Sequence, residues 1–108
     1  MSDDRPHAIG LVRLDLVIPD VNLYELAEKH GYRMVFTVKT DTGPAITALA
    51  LAHQAVEHSA KAVVVPGFEH AESVRHLATD IGALITPMQL YPPGYRWPTD
   101  DNLREQAR

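Results

Sequence analysis

The sequence predicts a single open α/β domain with a parallel sheet, and three observations indicate this fold class. Residues 61–68 (KAVVVPGF) are apolar after the first lysine and stop at a Pro-Gly turn, which is typical of a strand buried on both faces. Strand and helix patterns alternate along the whole chain, which favours parallel strands joined by helical crossovers. With 108 residues, the chain is long enough to bury one core without disulfides.

Two strand-like runs come before the longest helical pattern. Residues 8–18 form an apolar run interrupted only by Gly10, Arg13 and Asp15. Arg13 and Asp15 fall on the same face of a strand because they are two positions apart. Residues 32–39 (YRMVFTVK) predict the second strand.

Capping residues between these strands predict a short helix. Asn22 is followed three positions later by Glu25, the pairing of an N-cap with the third helical residue, and Asp20 is the alternative cap. Gly31 stands where the helix should end, since glycine readily adopts the left-handed conformation found after a last turn.

Residues 44–60 predict the longest helix of the chain, because proline suits a first helical turn and alanine is abundant. An apolar stripe with the i, i+3, i+4, i+7 spacing runs along it, and we expect this stripe to pack on the sheet. Its members are Ile46, Leu49, Ala50, His53 and Val56. His53 is the unusual member, which we expect to be a hydrogen-bonded interior or interface histidine.

The last part of the chain predicts a helix, a short strand and an extended tail. Residues 69–81 form the third helical pattern and residues 83–87 the fourth strand. Residues 91–98 (YPPGYRWP) contain three prolines and three aromatic residues, so they favour an extended path. We therefore separate residues 91–108 as a Pro/aromatic tail, in which residues 100–108 form a frayed last helical turn.

Composition excludes several classes of function. The chain has 10 Lys+Arg against 14 Asp+Glu, a formal charge of −4, and its basic residues are scattered, which argues against autonomous nucleic-acid binding. Cysteine is absent, which excludes thiol nucleophiles, disulfides and cysteine-ligated zinc. The polar start and the lack of a long apolar run predict a soluble, cytoplasmic protein that does not enter a membrane.

Residues 11–15 (LVRLD) and 69–73 (EHAES) stand where two motifs of a known family would lie. On these positions and the order of elements, residues 8–90 resemble the catalytic domain of serine recombinases (resolvases and invertases). Arg13 matches the arginine of the family's Tyr-x-Arg-Val-Ser pattern, but Asp15 replaces the nucleophilic serine. Both arginines of the family's Asp-Arg-Leu-x-Arg turn are absent.

The resemblance implies a flavodoxin-like, three-layer domain with a four-stranded, mainly parallel sheet flanked by helices. Phosphoryl transfer through a serine ester needs the hydroxyl nucleophile and several guanidinium groups, so the resemblance also implies a domain that has lost catalysis.

Acidic residues at the predicted carboxyl ends of the strands suggest an alternative. Ligands of open parallel sheets gather at that edge, which would hold Asp15, Asp41, Glu69 and His70. These residues could serve as the acid/base group of a small-molecule or phosphoester enzyme. Acidic residues after strands are also ordinary helix caps, so both interpretations stay open.

A ligand site at the same edge would use Arg13, Thr42, Gly43 and Gly67. Thr42 and Gly43 precede a helix whose first amides and dipole attract anions, although Pro44 removes one donor. The chain has no glycine-rich nucleotide motif, and no two of its six histidines are four positions apart. We therefore expect neither a cofactor nor a metal.

The tail carries residue types that are common at interfaces, namely Tyr91, Tyr95, Arg96 and Trp97. They either pack on the domain itself or contact a partner. We therefore hypothesise a non-catalytic resolvase-like domain that acts through protein–protein contact or self-association. Its partner would be another protein or a second copy of the chain, in a homodimer formed by a helix face or the tail.

Overall fold

A computed structural model describes residues 4–98, which form five strands and three helices. The strands are β1 His7–Arg13, β2 Arg33–Thr40, β3 Ala60–Val64, β4 Ala83–Ile85 and β5 Leu90–Tyr91. The helices are α1 Leu23–Lys29, α2 Pro44–Glu57 and α3 Arg75–Ile81, with two short 3-10 turns, Phe68–His70 and Glu72–Val74, before α3. Over the described residues, no helix has the length and apolar character needed to cross a membrane. The helical turn expected at residues 100–108 lies outside the described residues.

The protein is an α/β fold built on one mixed sheet with the strand order β2-β1-β3-β4-β5. β1 runs parallel to β2 and β3, and β3 runs parallel to β4, whereas β5 is antiparallel to β4. β3 is therefore the central strand, as its continuous apolar run predicts. The expectation of four strands was wrong, because the chain returns beside β4 and adds β5 at the edge of the sheet.

Helices cover both faces of the sheet, and a hydrophobic core lies on each side. On the side of α1, the buried residues are Ala8, Leu26, Ala27, Met34, Ala62, Val64, Ala83 and Ile85. On the side of α2 and α3, they are Ile9, Leu11, Val38, Leu51, Ala55, Ala60, Val63, Val65, Ala71, Val74, Ala78 and Leu84. Residues of β1, β3 and β4 alternate between the two sets because successive side chains of a strand point to opposite faces.

Three element boundaries differ from those predicted by at least three residues. β1 ends at Arg13 rather than at residue 18, because a turn follows in which the Leu16 amide donates to the Arg13 carbonyl at 3.2 Å. α2 ends three residues early, and the chain leaves it through Ser59, whose φ of 52° is left-handed. The helix expected over residues 69–81 begins only at Arg75, after the two 3-10 turns.

The predicted caps of α1 are confirmed. The Asn22 side chain accepts a hydrogen bond from the Glu25 amide at 3.1 Å, and Gly31 has a φ of 84°. Gly82 ends α3 for a different reason, which is close backbone approach. A Cβ atom on Gly82 would lie 1.8 Å from the Lys61 carbonyl oxygen, so only glycine lets β4 begin so close to β3.

Candidate functional site

Arg13 and Asp15, at the end of β1, form an ion pair with each other. The Arg13 guanidinium donates from Nη2 to Asp15 Oδ2 at 2.6 Å and from Nε to Oδ1 at 3.2 Å. The Arg13 side chain is mostly covered and that of Asp15 is exposed, at 18% and 41% of full exposure. Each charge is compensated by its neighbour, and the pair holds the turn that follows β1.

His70, the predicted general acid or base, is fully buried between β1 and the turn after β3. Its Nδ1 accepts a hydrogen bond from the Arg13 amide at 2.9 Å, so the proton of the neutral ring is on Nε2. Nε2 then donates to the Val17 carbonyl, also at 2.9 Å. Both ring nitrogens are therefore used to hold residues 13–17 against the domain, and neither is directed to solvent.

Glu69 and Asp41 are both exposed. The Glu69 carboxylate lies over Gly67, since a Cβ on Gly67 would be 2.8 Å from Glu69 Oε1. Asp41 is in the connection between β2 and α2. Across residues 4–98, no cluster of three or more histidine, aspartate or glutamate side chains could hold a metal ion.

The amides before α2 are partly used by the protein itself. Thr42 donates its amide to Thr40 Oγ1 at 3.1 Å, and the two hydroxyls are 2.7 Å apart. Gly43 is the N-cap of α2 and its carbonyl accepts from the Thr47 amide at 3.0 Å. Pro44 lacks an amide hydrogen and the Thr42 amide is bonded, so these two positions offer no donor to an anion.

The tail packs on its own domain. Tyr91, Tyr95 and Trp97 are partly buried, and Trp97 lies 4.7 Å from each tyrosine ring and 5.5 Å from the Phe68 ring. Trp97 Nε1 also donates to Thr79 Oγ1 on α3 at 3.0 Å.

Two further contacts support this path of the tail. The Gly94 amide donates to the Thr79 carbonyl at 2.8 Å, and the Arg75 guanidinium lies 5.9 Å from the centre of the Trp97 ring. Arg96 is exposed. Residues 91–98 therefore pack on their own domain, and contact of the tail with a partner stays a prediction.

The sequence pattern predicted the wrong side of α2 to face the sheet. The helix packs on the sheet with Thr47, Leu51 and Ala55, and the stripe predicted to be inside faces solvent. Ile46, Leu49 and Val56 are 57%, 68% and 81% exposed.

His53 is exposed on the same stripe, so it is not an interior histidine, and the alternative of an interface histidine stays a prediction. We call Ile46, Leu49, His53 and Val56 the outer face of α2. Ala50, between its members, is partly buried against the core.

Sequence periodicity misjudged this helix because both of its faces are apolar. The inner residues Thr47, Leu51 and Ala55 repeat every four positions, which is as good a helical stripe as the one chosen. Two of the three inner residues, Thr47 and Ala55, are small. The apolar pattern on both faces was the available signal that either stripe could pack on the sheet.

In comparisons with known proteins, the chain matches no family model, and it has no significant match among curated proteins or solved structures. The resemblance to serine recombinases therefore stays a prediction.

Proposed function

We propose that this domain acts through protein contact and self-associates through the outer face of α2. The observation that carries the proposal is the exposure of Ile46, Leu49 and Val56 on one stripe of a helix whose opposite side already packs on the sheet. Contiguous exposed apolar surface of this kind marks interaction sites more often than single exposed residues do.

The energetics limit any dimer formed by this surface to weak, reversible association. From their exposed fractions, the three aliphatic side chains amount to about two fully exposed ones per copy, and so about four in a dimer. Removing them from water would contribute about 6–12 kcal/mol. Association costs about 4–15 kcal/mol in lost freedom of motion, so the net gain is at most about 8 kcal/mol and a dimer would be no tighter than about micromolar.

A second copy of the chain suits this surface better than a charged partner does. The outer face carries no formal charge with His53 neutral, and apolar residues at alternating spacings of three and four pair with a helix of the same pattern. Closed dimers of identical chains are also the commonest protein assemblies.

The edge strand β2 is a weaker candidate for the contact. In an antiparallel pairing of two β2 strands centred on Phe36, Arg33 of one copy would lie opposite Lys39 of the other. Like charges directly opposite are destabilising, and charged residues on edge strands discourage such pairing.

Non-catalytic action is supported by the state of the predicted chemical groups. Asp15 is paired with Arg13, and both nitrogens of His70 form hydrogen bonds within the domain.

We also infer a flavodoxin-like, resolvase-like winding. The strand order β2-β1-β3-β4 supports this inference, since the sheet grows first to one side of β1 and then to the other.

The proposal is tested by measuring molar mass by light scattering from about 1 μM to 1 mM chain. We expect the wild type to change from monomer to dimer in this range and Val56→Asp to stay monomeric. Val17→Asp is a matched control, because Val17 and Val56 are 83% and 81% exposed but Val17 lies in the turn after β1. A wild type that stays monomeric throughout, or equal loss of dimer in both variants, would refute the proposal.

A further inference from the structure

We propose that the second copy binds with its α2 antiparallel to the first. The two copies are related by a two-fold axis that crosses the outer faces at the level of residue 51, halfway between Ile46 and Val56. In this register, Ile46 of each copy contacts Val56 of the other, and Leu49 contacts His53. The inference rests on the proposed self-association and specifies how the two copies are arranged.

The spacing of the outer face is the same in both directions along the helix. Its members are separated by three, four and three residues, which is the a/d pattern of a helix seam. Reversing the chain direction therefore places every member of the face on a member of the other copy. Such self-complementarity is what a two-fold symmetric contact requires.

Small residues flank the seam on both sides and allow the helices to approach. Ala45 and Ala52 lie along one side of the outer face, and Ala50 lies along the other. Ala45 is exposed, and Ala50 and Ala52 are partly buried. Helices with alanine beside the contact can come near the lower end of the usual interaxial distance of about 8–10 Å.

Charges at the two ends of α2 distinguish the antiparallel arrangement from the parallel one. Asp41 is exposed just before the first turn, and Lys61 is exposed beside Val56 at the other end, where both border one shallow hollow. Antiparallel helices bring Asp41 near Lys61 of the second copy, and also near Glu57, the exposed acidic residue at the end of α2. Parallel helices would bring Asp41 near Asp41 of the second copy and Lys61 near Lys61. Such like-charge contacts are unfavourable, and the formal charge of −4 on each chain adds to the repulsion.

His53 and the helix dipoles favour the same direction. In the antiparallel register the His53 ring packs against Leu49 of the second copy, whereas a parallel pair would place the two His53 rings at the same level. Antiparallel helices also oppose their dipoles, with each positive N-terminal end near a negative C-terminal end.

Cysteine cross-linking tests this geometry, because the wild-type chain contains no cysteine. Ile46→Cys and Val56→Cys are made separately, and one carries an affinity tag so that the three disulfide-linked dimers differ in size. The variants are mixed above the concentration at which the wild type dimerises and are then oxidised. We expect the mixed 46–56 disulfide to exceed either same-site disulfide by about tenfold, because only these positions come within disulfide reach.

Val17→Cys mixed with Val56→Cys is the control, since Val17 is equally exposed but lies off the helix. Thermal unfolding of each variant checks that it folds. Predominance of the 46–46 and 56–56 disulfides would overturn the antiparallel arrangement while leaving self-association intact. If the wild type dimerises but the cysteine variants give no more cross-linking between residues 46 and 56 than between 17 and 56, both proposals are refuted. A wild type that forms no dimer would also refute both.

Discussion

Replacing Trp97 with alanine should destabilise the fold, because this side chain ties the tail to α3. Trp97 contacts the rings of Phe68, Tyr91 and Tyr95 at centroid distances of 4.7–5.5 Å and donates to Thr79 Oγ1. Truncating a fully buried tryptophan costs about 3–5 kcal/mol. Since Trp97 is only partly buried, we expect a loss of about 2–3 kcal/mol in the free energy of unfolding.

The loss is large enough for a direct assay. In a domain of this size, about 2–3 kcal/mol corresponds to a fall in Tm of roughly 10–20 °C, which circular dichroism resolves easily. Trp97→Phe should retain most ring contacts and lose only the hydrogen bond to Thr79, at about 0.5–1.5 kcal/mol. Intrinsic fluorescence can follow unfolding of the wild type, because Trp97 is the one tryptophan in the sequence.

The same variant distinguishes the two readings of the tail. If Trp97→Ala unfolds within about 1 °C of the wild type, the ring contacts do not stabilise the domain and the reasoning fails. If the variant also loses the dimer while keeping its stability, the tail rather than α2 is the interface. We expect dimerisation of the folded variant to match the wild type.

Two further substitutions test the contacts that organise the sheet. His70→Ala leaves the Arg13 amide and the Val17 carbonyl without their partner and opens a cavity, so the urea midpoint should fall by the equivalent of about 3–4 kcal/mol. A loss below about 1 kcal/mol would contradict this role of His70. Gly82→Ala places a Cβ atom against the Lys61 carbonyl and should lower stability by at least about 2 kcal/mol in thermal unfolding. Gly43→Ala is its control, since nothing lies within 4 Å of a Cβ there, and a similar loss in both variants would contradict the steric argument.

Local signals in the sequence predicted local structure well. Asn22 and Gly31 were placed correctly at the ends of α1 because capping depends on one side chain, or on one backbone conformation, within a single turn. The central position of β3 in the sheet could be predicted too, since a continuous apolar run is typical of a strand that is buried on both faces.

Signals that depend on distant partners were harder to interpret. From the sequence, His70 was predicted to be an acid/base residue at the end of a strand. Its hydrogen bonds to residues 13 and 17 join positions more than 50 residues apart, so no local pattern could show them. The residue types of the tail fit a partner interface and packing on the domain equally well. Whether the tail packs on the domain depends on where Phe68 and Thr79 lie in the fold.

The sequence by itself determined the α/β class, the central place of β3 and the caps of α1, because each follows from periodicity or from one residue's conformational preference. The tertiary structure alone decided which side of α2 meets the sheet, since both of its stripes are apolar. The inner stripe of Thr47, Leu51 and Ala55 lies against the sheet in the fold, and its small residues allow close packing. Ile46, Leu49 and Val56 are consequently left exposed on the surface that we propose joins two copies.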